Sequence, residues 1–148
     1  MNKFTTSSVF PDVNVWLALS TRDHQNFASA WSWYTALPGQ TALAFCRITQ
    51  LSFLRLLTTQ SVMGRGTLTK AGAWKAYDRW RKDAGAEFAD EPPGLESIFR
   101  SRTDSRQASP KDWADSYLAA FSLAAGIRLV TFDQALAAKA AGAILLPQ

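Results

Sequence analysis

The chain has 148 residues, 47% of them hydrophobic, which suits one compact domain spanning residues 1–148 with a single core. No apolar run approaches the ~18 residues that span a bilayer, and the opening MNKFTTSS lacks the basic and apolar blocks of an export signal, so a cytoplasmic protein is expected, with no membrane contact. Sixteen Lys and Arg against twelve Asp and Glu give a formal charge of +4, a modest excess that favours a polyanionic partner without requiring one.

Apolar spacing, caps and breakers divide the chain into alternating strands and helices. Residues 7–11 read as a strand, followed by a short helix, NVWLALS, that begins beside Asp12. HQNFASAWSWYTAL places Phe27, Ala30, Trp31, Tyr34 and Leu37 at steps of three and four, and PG ends that helix. TALAF is a buried strand leading into RITQLSFLRLLT, a helix expected to turn Ile48, Leu51, Leu54 and Leu57 to the core. Cys46, between them, has no intrachain partner and reads as a small core residue. Residues 58–68 read as a loop, KAGAWKAYDRWRKD as a helix, AEFAD as a brief strand and PPGLESIFRSR as another short helix. In SPKDWADSYLAAFSLAAG, Ser109 takes an N-cap position, Pro110 the first helical position, Asp112 the capping-box position and Gly126 the exit. IRLVTF is then a buried strand, DQALAAKAAG a helix and AILLP a last strand. Strands alternating with helices predict an α/β domain of three layers, a mostly parallel sheet of about five strands covered on both faces.

In such sheets ligands collect at the carboxyl ends of the strands. Asp12 and Asp133 each follow a strand directly, and Asp115 sits early in a helix that runs back from the same edge. Asp12 and Asp133 also have a plain alternative as helix caps, as does Asp112 after Ser109. Asp115 has no such role. Carboxylates held close raise one another's pKa unless a cation joins them, and a hard ion such as Mg²⁺, bound through carboxylates, waters and a substrate phosphate, resolves the conflict. The reaction predicted is phosphodiester cleavage. A zinc centre or a serine triad fits worse, since the first needs His or Cys clusters and the second a histidine base, while His24, in a charged surface stretch, is the one histidine and Cys46 the one cysteine. GRG at 64–66 lacks the Lys and Ser/Thr of a phosphate loop.

FPDVNVWLAL, FCRITQLSFLRLLT, SPKDWADSYLAAF and LVTFDQAL, in this order and spacing, resemble the PIN-domain ribonucleases, and among them the VapC-like toxins of toxin–antitoxin pairs. The resemblance implies a single PIN-like domain, an RNA substrate, Mg²⁺ or Mn²⁺ on Asp12, Asp115 and Asp133, a VapB-like antitoxin and a homodimer. It implies a supporting part for Asn14, and Thr131 is read as a hydrogen-bond partner for a metal water. The departure is at the second acid of the family, where this chain has Ser52, with Gln50 two places earlier. Either side chain, or Glu91 from the loop after the third strand, is a candidate replacement. Arg47, Arg55, Arg65 and Arg102 are candidates for holding phosphates, with Arg55 open to a packing role instead. Trp16 and Trp113 lie near the acids in sequence, with core packing as their default. Two rival functions share these residues: a non-catalytic binding module that has lost turnover, and a phosphodiesterase or phosphatase for small substrates.

Overall fold

The computed structural model describes residues 8–148; most of the opening MNKFTTSS, expected to carry no export signal, and the first residue of the predicted strand 7–11 lie outside that range. Strand β1 (Val9–Pro11) passes through Asp12 into α1 (Val13–Ser20), then α2 (Phe27–Thr35), β2 (Ala44–Phe45) and α3 (Arg47–Leu57). A short α4 (Gln60–Met63) precedes α5 (Lys70–Asp78), which continues as one π-helical segment over Arg79–Asp83. The remaining elements are β3 (Glu87–Phe88), α6 (Leu95–Arg102), α7 (Asp112–Ala125), β4 (Arg128–Thr131), α8 (Gln134–Lys139) and β5 (Ile144–Leu145).

Among the described residues every strand pairing is parallel: β1 with β4, β4 with β5, and β2 with β3. A bridge between Val9 and Leu43 joins the two halves, so the strands run in the order β3-β2-β1-β4-β5. Side chains alternate across this sheet with the period of two that extended backbone imposes. Val9, Phe45 and Val130 face a layer built from α1, α2, α3 and α5, in which the Trp16 ring stacks on Phe45 at 3.7 Å between centroids. Phe10, Ala44 and Leu129 face the opposite layer, built largely from α6, α7 and α8, where Phe10 stacks on Phe121 at 5.0 Å. The three-layer α/β architecture expected from the sequence is the one observed.

Several local expectations are corrected. In α3, Leu51 is 63% exposed and Phe53 takes the core position with Leu57. In α2, Ala30 alone is buried, and Trp31 is exposed. Residues 58–68 hold α4 and a 3-10 turn at Gly64–Gly66 rather than a plain loop. Helix α7 starts at Asp112, with Lys111 at its N-cap, because Ser109 is used in a preceding turn: its carbonyl accepts the Asp112 N–H at 3.0 Å. Its exit is as read, with Gly126 at φ 69°, a conformation costly for any residue with a Cβ. Cys46 is buried, and burial pushes its thiol pKa up. Among the described residues no helix is long and apolar enough to cross a membrane.

Candidate active site

The register Pro11 with Val130 sets Asp12 and Thr131 side by side at the carboxyl edge of the sheet. The Asp12 N–H continues the ladder to the Val130 carbonyl at 2.8 Å. Its Oδ1 accepts the Val13 N–H at 2.6 Å, capping α1, and its Oδ2 accepts the Thr131 hydroxyl at 3.1 Å. Asp12 is 7% exposed. Burial raises its pKa, the two hydrogen bonds oppose that, and the negative charges of Asp115 and Asp133 add to it.

Asp133 follows β4 in the same way and caps α8: its Oδ1 accepts the Ala135 and Leu136 N–H groups at 2.8 and 3.2 Å. Its own N–H donates to Thr131 Oγ1 at 3.0 Å. A single buried hydroxyl therefore ties the carboxylate of Asp12 to the backbone of Asp133. Capping does not take either acid out of the group: Asp12 and Asp133 each cap a helix and also lie in the other's electrostatic field. Asp115, in the first turn of α7, completes the group from the other side; burial raises its pKa, Lys139 lowers it, and Asp133 and Asp112 raise it again.

Lys139, in the last turn of α8, is the only basic residue after Arg128, and no local motif in the sequence ties it to the acids. Its ammonium donates to Asp112 Oδ1, and Ser116 Oγ donates to Asp112 Oδ2 at 2.9 Å. These bonds hold the Asp112 carboxyl below the usual carboxylate range, and Asp112, Asp115 and Asp133 together raise Lys139. Asp112 is thus engaged by a lysine rather than by a capping box.

Asp133 and Asp115 line two open clefts, while Asp12 lies buried and lines neither. Asp133 and Asn14 border one of about 860 Å³, with His24, Phe132 and Gln148 on its walls; Asp115, Asp112 and Lys139 border another of about 830 Å³, with Lys111 and Trp113. Trp113 is 57% exposed there rather than packed in the core, while Trp16 is fully buried. Among the described residues no three His, Cys, Asp or Glu side chains are grouped closely enough to hold an ion by themselves. The acids form an electrostatic neighbourhood, not a closed cage. That suits a hard cation which keeps most of its waters and takes one or two carboxylates, and the nearly buried Asp12 gains most from it.

The other expected residues fall elsewhere. Gln50 is buried, and its Oε1 accepts from Arg47 Nη1 at 2.5 Å. Ser52 is half-buried on α3. Glu91 is exposed and accepts the Tyr117 hydroxyl at 2.7 Å. Arg55 and Arg65 are exposed, neither forms an ion pair among the described residues, and Arg102 Nη1 donates to the Lys139 carbonyl at 2.6 Å.

Comparison with known proteins gives a consistent result. The PIN domain family model matches residues 9–142. Ribonuclease VapC41 of Mycobacterium tuberculosis (strain ATCC 25618 / H37Rv) is 40% identical over 128 residues, covering 84% of this chain and 88% of the relative. Among solved structures, VapC20 of M. tuberculosis, described as a Sarcin-Ricin loop cleaving toxin, superposes with a TM-score of 0.65 at 19% identity over 94% of this chain and 99% of that one. VapBC2 of Rickettsia felis, bound to a DNA fragment from its promoter, does so with a TM-score of 0.64 at 12% identity over 93% and 96%.

Proposed function

Because the chain belongs to the PIN-domain family, with VapC ribonucleases as relatives over most of its length, we propose that it is a Mg²⁺- or Mn²⁺-dependent endoribonuclease acting as the toxin of a toxin–antitoxin pair. The observation that carries this reading is the placement of buried Asp12, linked through Thr131 to Asp133, within the field of Asp115. Hard carboxylate oxygens at the end of a parallel sheet are the donor set that a divalent ion prefers over sulfur or imidazole.

Asp12, Asp115 and Asp133 would hold the ion or its waters. When bound, the ion supplies positive charge that makes the carboxylates' proximity tolerable, polarises a water and offsets the charge developing on the phosphodiester. Thr131 and the Val13 N–H each hold one oxygen of Asp12, so the carboxylate is fixed in orientation and each oxygen keeps a lone pair for the ion or its waters. Asp112 keeps Lys139 at the lip of the site. Asn14, at the start of α1, faces the cleft beside Asp133 and is suited to orient a water or a phosphate oxygen. The partner is a VapB-like antitoxin, a reading supported by solved neighbours that include a VapBC complex. A homodimer is proposed as well, with the exposed Leu51 and Trp74 as apolar surface that a second chain would cover, in a protein proposed to be cytoplasmic.

One observation favours a second reading. With Gln50 bonded to Arg47 and no acid at Ser52, the site has less negative charge than a full acidic quartet, and a binding module without turnover has the same fold. A single experiment separates the two. Cleavage of single-stranded and structured RNA is followed with Mg²⁺, with Mn²⁺ and with EDTA, in the wild type and in Asp115→Asn. The nuclease reading expects cleavage that requires the metal and is lost in the variant; RNA binding without metal-dependent cleavage establishes the module instead. Small phosphate esters in parallel test for a small-substrate phosphodiesterase.

A further inference from the structure

Away from the acids, a cavity of about 430 Å³ opens beside the edge strand β3, lined by Arg47, Gln50, Tyr77, Arg81, Lys82 and Phe88. The Arg47 guanidinium lies over the Phe88 ring, 4.7 Å from its centroid, and donates to Gln50 Oε1. Arg81 Nη1 donates to the Ala86 carbonyl at 3.1 Å. Both anchors are neutral, so they fix the direction of each guanidinium without cancelling its charge. The one carboxylate on the cavity wall, Asp78, lies 3.8 Å from Lys82. Among the described residues neither Arg47 nor Arg81 forms an ion pair with a carboxylate.

A guanidinium carries five donors, so each of these keeps most of its donors unspent beyond its anchor. Gln50 is the decisive neighbour. It is 6% exposed, and as an amide it accepts from Arg47 while leaving the positive charge in place. A glutamate there would have neutralised it. Two planar, anchored and uncompensated guanidinium groups at the wall of one cavity match the tetrahedral oxygens of a phosphate, to which arginine binds in a bidentate manner.

Position links the cavity to the acids. Arg47 opens α3 immediately after β2, and β2 neighbours β1, whose carboxyl end delivers Asp12. A strand lying across that edge of the sheet meets both. We infer that the cavity is a subsite for a backbone phosphate of the RNA strand, remote from the bond that is cut, with Arg47 and Arg81 as the donors. The inference rests on RNA being the substrate, as proposed for the acidic site.

The test is equilibrium binding of a labelled single-stranded oligoribonucleotide to the whole chain in EDTA, across a range of salt concentrations. Arg47→Gln combined with Arg81→Gln is expected to lower affinity by about tenfold or more and to flatten the dependence of log K on log salt by about 0.7 for each phosphate that is no longer neutralised. Gln50→Glu keeps both arginines and nearly the same shape, and it should weaken binding in the same direction, which covers the case of a poorly folded double variant. Unchanged RNA affinity and salt slope in these variants overturn the inference. So does a double variant that loses binding only to inorganic phosphate, added alone, or to an acidic peptide. Arginine-dependent RNA binding without cleavage under Mg²⁺ or Mn²⁺ removes the nuclease reading and leaves the subsite; cleavage with arginine-independent binding does the reverse. A wild type that binds no RNA removes both.

Discussion

Thr131 Oγ1 donates to Asp12 Oδ2 at 3.1 Å while accepting the Asp133 N–H at 3.0 Å, so one fully buried hydroxyl sets the spacing of two acids that are 121 residues apart in the chain. Thr131→Val keeps the shape and removes both bonds. It leaves the Asp133 N–H without its partner and Asp12 with one fewer stabilising donor, which should cost about 1–3 kcal/mol in urea unfolding. RNA cleavage should fall with it. Thr131→Ser keeps the hydroxyl and should retain most of the cleavage; a valine variant as active as the serine one would show that the hydroxyl does not position Asp12.

Asp133 caps α8 and is proposed as a site acid, and two substitutions separate these roles. Asn is as good an N-cap as Asp, so Asp133→Asn should unfold within about 0.5 kcal/mol of wild type while losing cleavage, whereas Asp133→Ala should lose the cap as well, at about 1 kcal/mol. Equal activity of wild type and Asp133→Asn would leave capping as the only role of the residue.

The acids at strand ends were legible because the pattern is local: a short apolar run, an acid, then a helix, at 9–13 and again at 128–134. The parallel sheet followed from alternation alone. What stayed illegible depends on rotation and on distant contacts. Stepping from Ile48 through Leu51 and Leu54 traces an apolar stripe, yet α3 turns Thr49, Gln50, Phe53 and Leu57 inward, and two polar residues on that face disguised it. Ser109 and Pro110 spell a helix start, but the turn they make displaces the start to Asp112. Lys139 meets Asp112 across 27 residues, a pairing that only the packing of α8 beside α7 creates.

The pKa directions make a prediction for stability against pH. Asp12 and Asp115 are both raised above the ordinary 3.8, chiefly by burial. The folded chain therefore binds more protons than the unfolded chain between that value and the raised ones, and their contribution to stability is fully present below 3.8 and is lost as pH rises through the folded values. Asp112, held low by Lys139, works in the opposite direction, losing its contribution as pH falls. In metal-free protein, Asp12→Asn should remove much of the decline on the alkaline side and be at least as stable as wild type near neutral pH. Added Mg²⁺ or Mn²⁺ should stabilise the wild type there, by about 2.7 kcal/mol at a concentration one hundred times its Kd, and should do much less for Asp12→Asn. Thermal melts over a pH series, with EDTA or metal, measure both; an Asp12→Asn variant stabilised by metal as strongly as wild type would remove Asp12 from the ligand set.

Lys139 already gives Asp112, Asp115 and Asp133 a positive neighbour, so a divalent cation entering beside Asp115 has to share that field with an ammonium. Lys139→Gln removes the competitor and keeps a hydrogen-bond donor for Asp112. The metal-free variant should melt below wild type at low salt, because the three carboxylates lose their compensation, and the gap should narrow at high salt, since the Lys139–Asp112 pair is only about two-thirds buried and is open to screening. Mn²⁺ affinity, measured by calorimetry, should rise several-fold over wild type as the repulsion between ammonium and metal disappears. Cleavage then discriminates between two uses of the lysine. If it serves only to hold the acids together before metal arrives, Lys139→Gln cleaves at lower metal concentration with an unchanged maximal rate. If its ammonium also meets the phosphate in the cleft it shares with Asp115, the maximal rate falls even though metal binds more tightly. Mn²⁺ affinity equal to that of wild type would show that Lys139 and the ion do not compete for the same carboxylates.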